Sequence, residues 1–432
     1  MAQPKATVPG ISFVRALGGI EEYQLKSNGL RILLAPDQSA PVAGVMVTYH
    51  VGSVNEATGY TGATHLLEHL MFKGAEKFNP GNGGAVDVVL ESKGAIMNAT
   101  TWLDRTNYYE IVPKDLLPLA LEIEADRMRT ATFNEEDRAG EMPVVRNEFE
   151  RGENMPSEGL DKAVWAAAFQ AHPYHHSTIG WRSDIEKVSI ERLRQFYNDF
   201  YWPDNATLTI AGNFESEHVL RLAKKFFGVY SRKEGGYPQM YTEEPPQEGQ
   251  RRVIVKRAGN PMINVSHKMP AALHADIPAL IVLSTILHDD KSSRLYRTFI
   301  DSALATDLAV HSNYFRDASL FQTIITLTPS TTHQKAEELL LNEYEKIITK
   351  GVTAKELAAA KRSIRVAFSH RTDGPFAFLS AINEDLAIGD WSRYVTLPQD
   401  IQKVTAKDVQ RVAKTYLITD QSTIGWFIPT NA

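Results

Sequence analysis

The spacing of apolar side chains changes several times along the chain, and each change marks an element. Leu30 to Ala35 and Ala43 to Val51 are short apolar runs, the second rich in β-branched and small residues, and both predict strands. Thr64 to Lys73 puts Leu66, Leu67 and Leu70 at helical spacing and predicts a helix. Ala95 to Thr101 and Asn107 to Val112 predict two more strands around the turn-like Leu103-Asp104-Arg105, and Leu116 to Thr130 predicts a helix with an apolar stripe. Strands and helices mix without strict βαβ alternation, so the expected class is α+β.

The pattern then repeats. Val188-Ser189-Ile190-Glu191 opens a helix that ends at Tyr201, and the alternating strand Asp204 to Ile210 follows. Adding 216 to these numbers reaches Val404-Thr405, which opens a second helix, and Asp420 to Ile424, which leads into a second strand. Val188 meets Val404, Leu193 meets Val409, Phe200 meets Tyr416 and Asp204 meets Asp420, without a gap. This reads as an internal duplication. Between the copies lies SRKEGGYPQMYTEEPPQEGQ, with three glycines, three prolines and little apolar patterning, which reads as a linker. The expected organisation is an N-terminal domain over 14–230, a linker over 231–250 and a homologous C-terminal domain over 251–432.

Composition narrows the chemistry. A length of 432 residues suits two or three domains, and 43% hydrophobic with 23% charged residues suits a globular protein. A net charge of -6 argues against a nucleic-acid partner, which asks for a basic face. There is no cysteine, so disulfides, thiolate metal sites and a cysteine nucleophile are excluded. Any transition-metal site must use imidazole, carboxylate and water. No run approaches the ~20 apolar residues of a membrane span, and the opening Met-Ala-Gln-Pro-Lys-Ala carries no apolar signal region. The expected compartment is the periplasm of a bacterium, with the cytoplasm as the alternative.

The segment Thr64-His65-Leu66-Leu67-Glu68-His69-Leu70-Met71-Phe72 carries the chemistry. On a helix, His65 and His69 project from one face and can reach one ion. Glu68 lies beside the second histidine, close to the same metal but angled away from ligation. The pattern H-x-x-E-H is the inverse of H-E-x-x-H. Zinc suits such ligands, and a carboxylate next to zinc-bound water can act as the base. The bland alternative is two surface histidines that share a helix face with a glutamate. A third ligand should be a carboxylate. The acid-rich stretch from Asn134 to Glu153 offers Glu141 and Glu148, seven apart on one face, beside Glu135, Glu136, Asp137, Glu150 and Glu153. Spacing alone does not choose among them.

The segments TGATHLLEHLMFKG and VVRNEFERGEN resemble the insulinase (pitrilysin) family of metallopeptidases, which includes the mitochondrial processing peptidase. The resemblance implies two homologous domains, each a mainly antiparallel sheet with helices packed on it, and one Zn2+ per chain. It implies His65, His69 and Glu148 as metal ligands, Glu68 as the base, and Glu141 as a supporting carboxylate. Gly94 to Thr100 resembles the family's edge strand, which implies that Asn98, Ala99 and Thr100 bind the substrate backbone. His172-Pro173-Tyr174 with Thr178-Ile179-Gly180 resembles a further family stretch, and His172, His175 and His176 read there as loop residues rather than as a second metal site.

Two departures stand out. Gly140 and Pro143 interrupt the stretch that carries Glu141 and Glu148, and proline inside a helix tends to kink it. After Ser293-Arg294-Leu295-Tyr296 the family places an Arg and a Tyr that contact the substrate carbonyl, where this chain has Ile300 and Thr306. The resemblance implies a chamber of four homologous domains, of which this chain supplies two. The expected partner is therefore a homologous subunit that carries the Arg/Tyr pair, in a heterodimer, with a homodimer as the alternative. The expected function is a zinc-dependent endopeptidase acting on peptides or unfolded segments. A non-catalytic peptide-binding or scaffold subunit and a zinc hydrolase of non-peptide substrates are the alternatives.

Overall fold

A computed structural model of the chain describes residues 6–82 and 84–430. They form two compact α+β units. The first comprises the chain up to Asn147 with Ser177–Tyr241 and Arg371–Val395. The second comprises Glu148–His176, Thr242–His370 and the chain from Thr396. Each unit thus takes most of one half of the chain and a short segment of the other. Residues 231–250, the expected linker, carry no helix or strand.

The first unit is built on seven strands: β1 (Ile11–Leu17), β2 (Ile20–Leu25), β3 (Arg31–Pro36), β4 (Val42–Tyr49), β5 (Ile96–Thr101), β6 (Thr106–Pro113) and β7 (Ala206–Gly212). Their order is β1-β2-β3-β7-β4-β6-β5, antiparallel except for the parallel pair β3–β7. Side chains alternate between the two faces. One face takes helix Gly374–Ala387: Met46 packs on Leu379, and Thr48 and Asn107 bond Asn383. The other takes helix Leu117–Thr130, whose Arg127 reaches Glu110 of β6 at 2.8 Å. β5 lies at the edge, paired on one side only, with β6.

The second unit has five strands: β8 (Arg251–Arg257), β9 (Met262–Met269), β10 (Ala305–Ser312), β11 (Ser319–Leu327) and β12 (Ser422–Pro429). Their order, β10-β11-β9-β12-β8, reproduces β5-β6-β4-β7-β3 of the first sheet, including the one parallel pair, β12–β8. Helix Pro156–Ala168 covers one face, with Leu160 and Val164 on Met262 and Phe427. Helices Ile277–Leu287, His333–Lys350 and Ala406–Tyr416 supply the large core on the other face. The duplication holds at single-residue resolution: helix Ile190–Phe200 and strand Ala206–Gly212 recur 216 residues on as Ala406–Tyr416 and a strand starting at Ser422. Their helix starts match as well. Ser189 and Thr405 each accept from a backbone N–H three residues on, at 3.2 Å.

Candidate metal centre

Helix Ala63–Leu70 is fixed before its histidines are placed. It starts after Gly62, at φ +83, where a Cβ would stand 2.4 Å from the Ile179 carbonyl oxygen. Only glycine fits both demands. Glu56, buried, accepts the N–H of Gly62 and of Thr64, each at 2.7 Å, and so anchors the first turn. Burial pushes its carboxyl up to about 8, against those hydrogen bonds. Leu66, Leu67 and Leu70 fill the core beneath. That orientation turns His65 and His69 to a common face, with ring centroids 4.9 Å apart.

His69 Nδ1 lies 3.1 Å from Glu141 Oε2. With the proton on Nδ1, Nε2 is left to face a metal. Lys73 forms an ion pair with the other oxygen of Glu141. Burial raises the Glu141 carboxyl, but the bonds from Lys73 and His69 outweigh it and hold it below the ordinary carboxylate range. Burial, helped by the neighbouring His69, lowers His65 to about 4, so its imidazole is neutral.

Helix Glu135–Glu153 runs on through Pro143, so Glu141 and Glu148 sit on one continuous helix, and the division between the two units falls inside it. A nitrogen of His65, a nitrogen of His69 and a carboxylate oxygen of Glu148 all lie within 4.8 Å of one another. Among the described residues no other cluster of this kind is present, and His172, His175 and His176 form none. His172 instead faces Asp317 at 3.4 Å.

Glu68 is 8% exposed and accepts the hydroxyl of Thr101, at the end of β5. Along β5, Asn98 and Thr100 are exposed on the face toward helix Gly374–Ala387, while Ala99 is buried on the face of Glu68. Thr100 is also bound to Asn107 at 2.6 Å and, through its carbonyl, to Arg105 at 3.2 Å. Behind the histidine helix, Arg127 is buried between Glu110 and Glu124 and lies under the rings of Tyr108 and Phe72, at 4.4 and 5.3 Å. In the second unit, Ile300 packs against the core and Thr306 is exposed at the start of β10. Glu56 and Thr101 carry no sequence signal as site residues, because their partners lie on the backbone or are distant in sequence; Arg127 shows only its pairing with Glu124 three residues before it, not the one with Glu110. Lys73 had a signal, standing four residues after His69 on the same face.

Two family models match consecutive stretches: "Insulinase (Peptidase family M16)" over 31–181, and "Peptidase M16 inactive domain" over 187–364. The chain belongs to the insulinase family. It is 29% identical over 95% of its length to "Zinc protease PqqE" of Helicobacter pylori, covering 93% of that protein. It is 32% identical to "Probable mitochondrial-processing peptidase subunit beta" of Schizosaccharomyces pombe, over 49% of this chain and 46% of that one. A crystal structure described as a protease from Helicobacter pylori superposes with a TM-score of 0.90 at 28% identity, covering 95% of this chain and 99% of that one. Among the described residues, this insulinase-family chain has no helix long and apolar enough to cross a membrane. Its donor set fits zinc: two imidazoles, one of them held neutral by burial, and one carboxylate, with no thiol anywhere in the chain.

Proposed function

We propose that this chain is a zinc-dependent endopeptidase that hydrolyses peptides or unfolded segments, with one zinc held by His65, His69 and Glu148. The observation that carries the reading is the convergence of those three ligand atoms within 4.8 Å, two of them from the helix that also carries the buried carboxylate of Glu68. When bound, zinc supplies Lewis acidity, polarising the substrate carbonyl and making water acidic near neutral pH. Glu68 then takes the proton of the attacking water and returns it to the leaving amine. Glu141 holds His69 by its Nδ1 and fixes which nitrogen faces the metal. β5 offers an open edge on which an extended peptide can add as a further strand, with Asn98, Ala99 and Thr100 along it. An extended substrate also favours peptides over small esters.

Ile300 and Thr306 cannot supply a cation or a phenol to the substrate carbonyl. We therefore propose that a homologous subunit supplies an Arg/Tyr pair in a heterodimer, with a homodimer as the second arrangement. The test is zinc content and cleavage of an unstructured peptide by wild type and Glu68→Gln, each with and without a homologous partner. Wild type should hold zinc and cleave, and the variant should hold zinc and not cleave. Wild type without zinc, or a variant that cleaves as well as wild type, would bring the scaffold reading forward. Full activity of the chain alone, eluting as a monomer, would remove the partner.

A further inference from the structure

Glu68 and the strand proposed to hold the substrate are tied to each other by one side chain. Thr101 closes β5, and its hydroxyl donates to Glu68 Oε2. Alternation along the strand puts Thr101 on the same face as Ala99 and as Tyr108 of the paired strand, the face of the histidine helix.

The backbone around Thr101 is anchored from several directions. Trp102 N donates to Arg105 O at 2.9 Å and closes the hairpin to β6. Trp102 O and Leu103 O accept from Ser53 N and Val54 N, at 3.1 and 2.9 Å. The approach is so close that a Cβ on Gly52 would stand 2.3 Å from both carbonyl oxygens. Thr106, opposite Thr101, donates its hydroxyl to Val51 O at 3.0 Å. Residues 51–54 lead directly to Glu56, which anchors the helix that carries Glu68. Strand end and helix start therefore share one backbone junction, and the Thr101 hydroxyl spans the remaining gap to the carboxylate.

We propose that Thr101 is a positioning residue for Glu68: it holds one carboxylate oxygen and sets the base in register with a peptide lying along β5. This rests on the reading of Glu68 as the base. A threonine hydroxyl does not exchange a proton in the reaction; it fixes the rotamer of a group that does. Without it, Glu68 can turn toward other donors, and the fraction of productive encounters falls while substrate still binds along the same strand.

Thr101→Ala and Thr101→Ser both remove the methyl group and differ only in the hydroxyl, so their comparison isolates the hydrogen bond. Thr101→Val keeps the shape and removes the hydroxyl. The expected result is a fall in kcat of about ten-fold or more for Ala and Val, with KM changed little and zinc content equal to wild type. Serine should restore most of kcat. In the zinc-free protein, amide hydrogen exchange over residues 96–101 should rise in Thr101→Ala and not in Thr101→Ser. Equal kcat for Ala and Ser, or a loss confined to KM or to zinc content, overturns the positioning role. Glu68→Gln in the same assay separates the two readings. If it cleaves like wild type, the assignment of the base fails and this inference fails with it; if it is inactive while Ala equals Ser, only the inference fails.

Discussion

Replacing Glu56 by glutamine removes a buried ionisable group from the start of the histidine helix and keeps most of its shape. Glu56 Oε2 accepts from Gly62 N and Oε1 from Thr64 N, each at 2.7 Å. Glutamine has one acceptor oxygen, so one buried N–H loses its partner, at a cost of about 1–3 kcal/mol. Working against that loss is the charge itself. Burial lifts the carboxyl from its ordinary 4.5 to about 8, against the bonds from Thr64 and Gly62. In the unfolded chain it ionises near 4.5, so across the window from there to about 8 unfolding releases a proton. Stability from this group is fully present below the window and falls as the pH rises through it, by up to about 1.4 kcal/mol per pH unit. Between about pH 5.5 and 7.5 the wild type should lose roughly 2–3 kcal/mol from Glu56, which Glu56→Gln does not lose. The variant should therefore be the less stable protein at the lower pH and draw level with, or pass, wild type at the higher. Urea unfolding of the zinc-free proteins at both values measures the difference, and groups common to both cancel. A difference that does not change with pH would show that Glu56 is ionised at both, and that the helix is anchored by a carboxylate rather than by a carboxylic acid.

Three further outcomes are expected. Glu141→Gln should weaken zinc binding roughly 10–100-fold in a chelator competition, because His69 loses a charged partner that fixes its tautomer; unchanged affinity would remove that role. Arg127→Met should cost about 3–5 kcal/mol in thermal or chemical unfolding, since it leaves Glu110 and Glu124 buried without their cation. A loss below about 1 kcal/mol would mean that the two acids are satisfied without it, as burial, which already raises Glu110, would then keep that acid protonated. Gly180→Ala should lower stability by about 2 kcal/mol or more, because φ is +75 and the new Cβ would meet the Thr61 backbone at 2.3 Å; a neutral change in melting temperature would refute the reasoning.

Local pattern made much of this legible. The helix from Ile190 and its copy from Ala406 follow from a polar cap, an apolar stripe and a turn, all written within about 25 consecutive residues. The pairing of His65 with His69 likewise needs only the helix period. Sequence order did not reveal which residues meet across space. Thr101 reaches Glu68 over 33 positions and Glu110 reaches Arg127 over 17, and neither separation has a period to betray it. Pro143 carried a misleading local signal. A proline removes one N–H and tends to bend a helix, yet Glu135–Glu153 continues past it, and the carboxylates on either side stay on one element. Nothing in the amphipathic pattern of segments 148–176 and 371–395 says which sheet they cover.

Those two segments are counterparts. Helix Pro156–Ala168 and helix Gly374–Ala387 stand about one repeat length apart, and each lies on the sheet whose strands come mostly from the opposite half of the chain. Leu379, Ile382 and Leu386 belong to the interior of the first unit, and Trp391 bonds Glu22 there at 2.8 Å, although 369 residues separate the two. The duplicated sequence therefore does not correspond to two detachable pieces. A gene cut in the coil at 231–250 would give an N-terminal product with β4, β6 and β7 bare on one side, and a C-terminal product whose sheet lacks Leu160 and Val164. Each fragment would carry a helix with nowhere to bury its apolar side. Mixed, the two fragments should rescue one another, so a split version of this chain calls for co-expression of both halves.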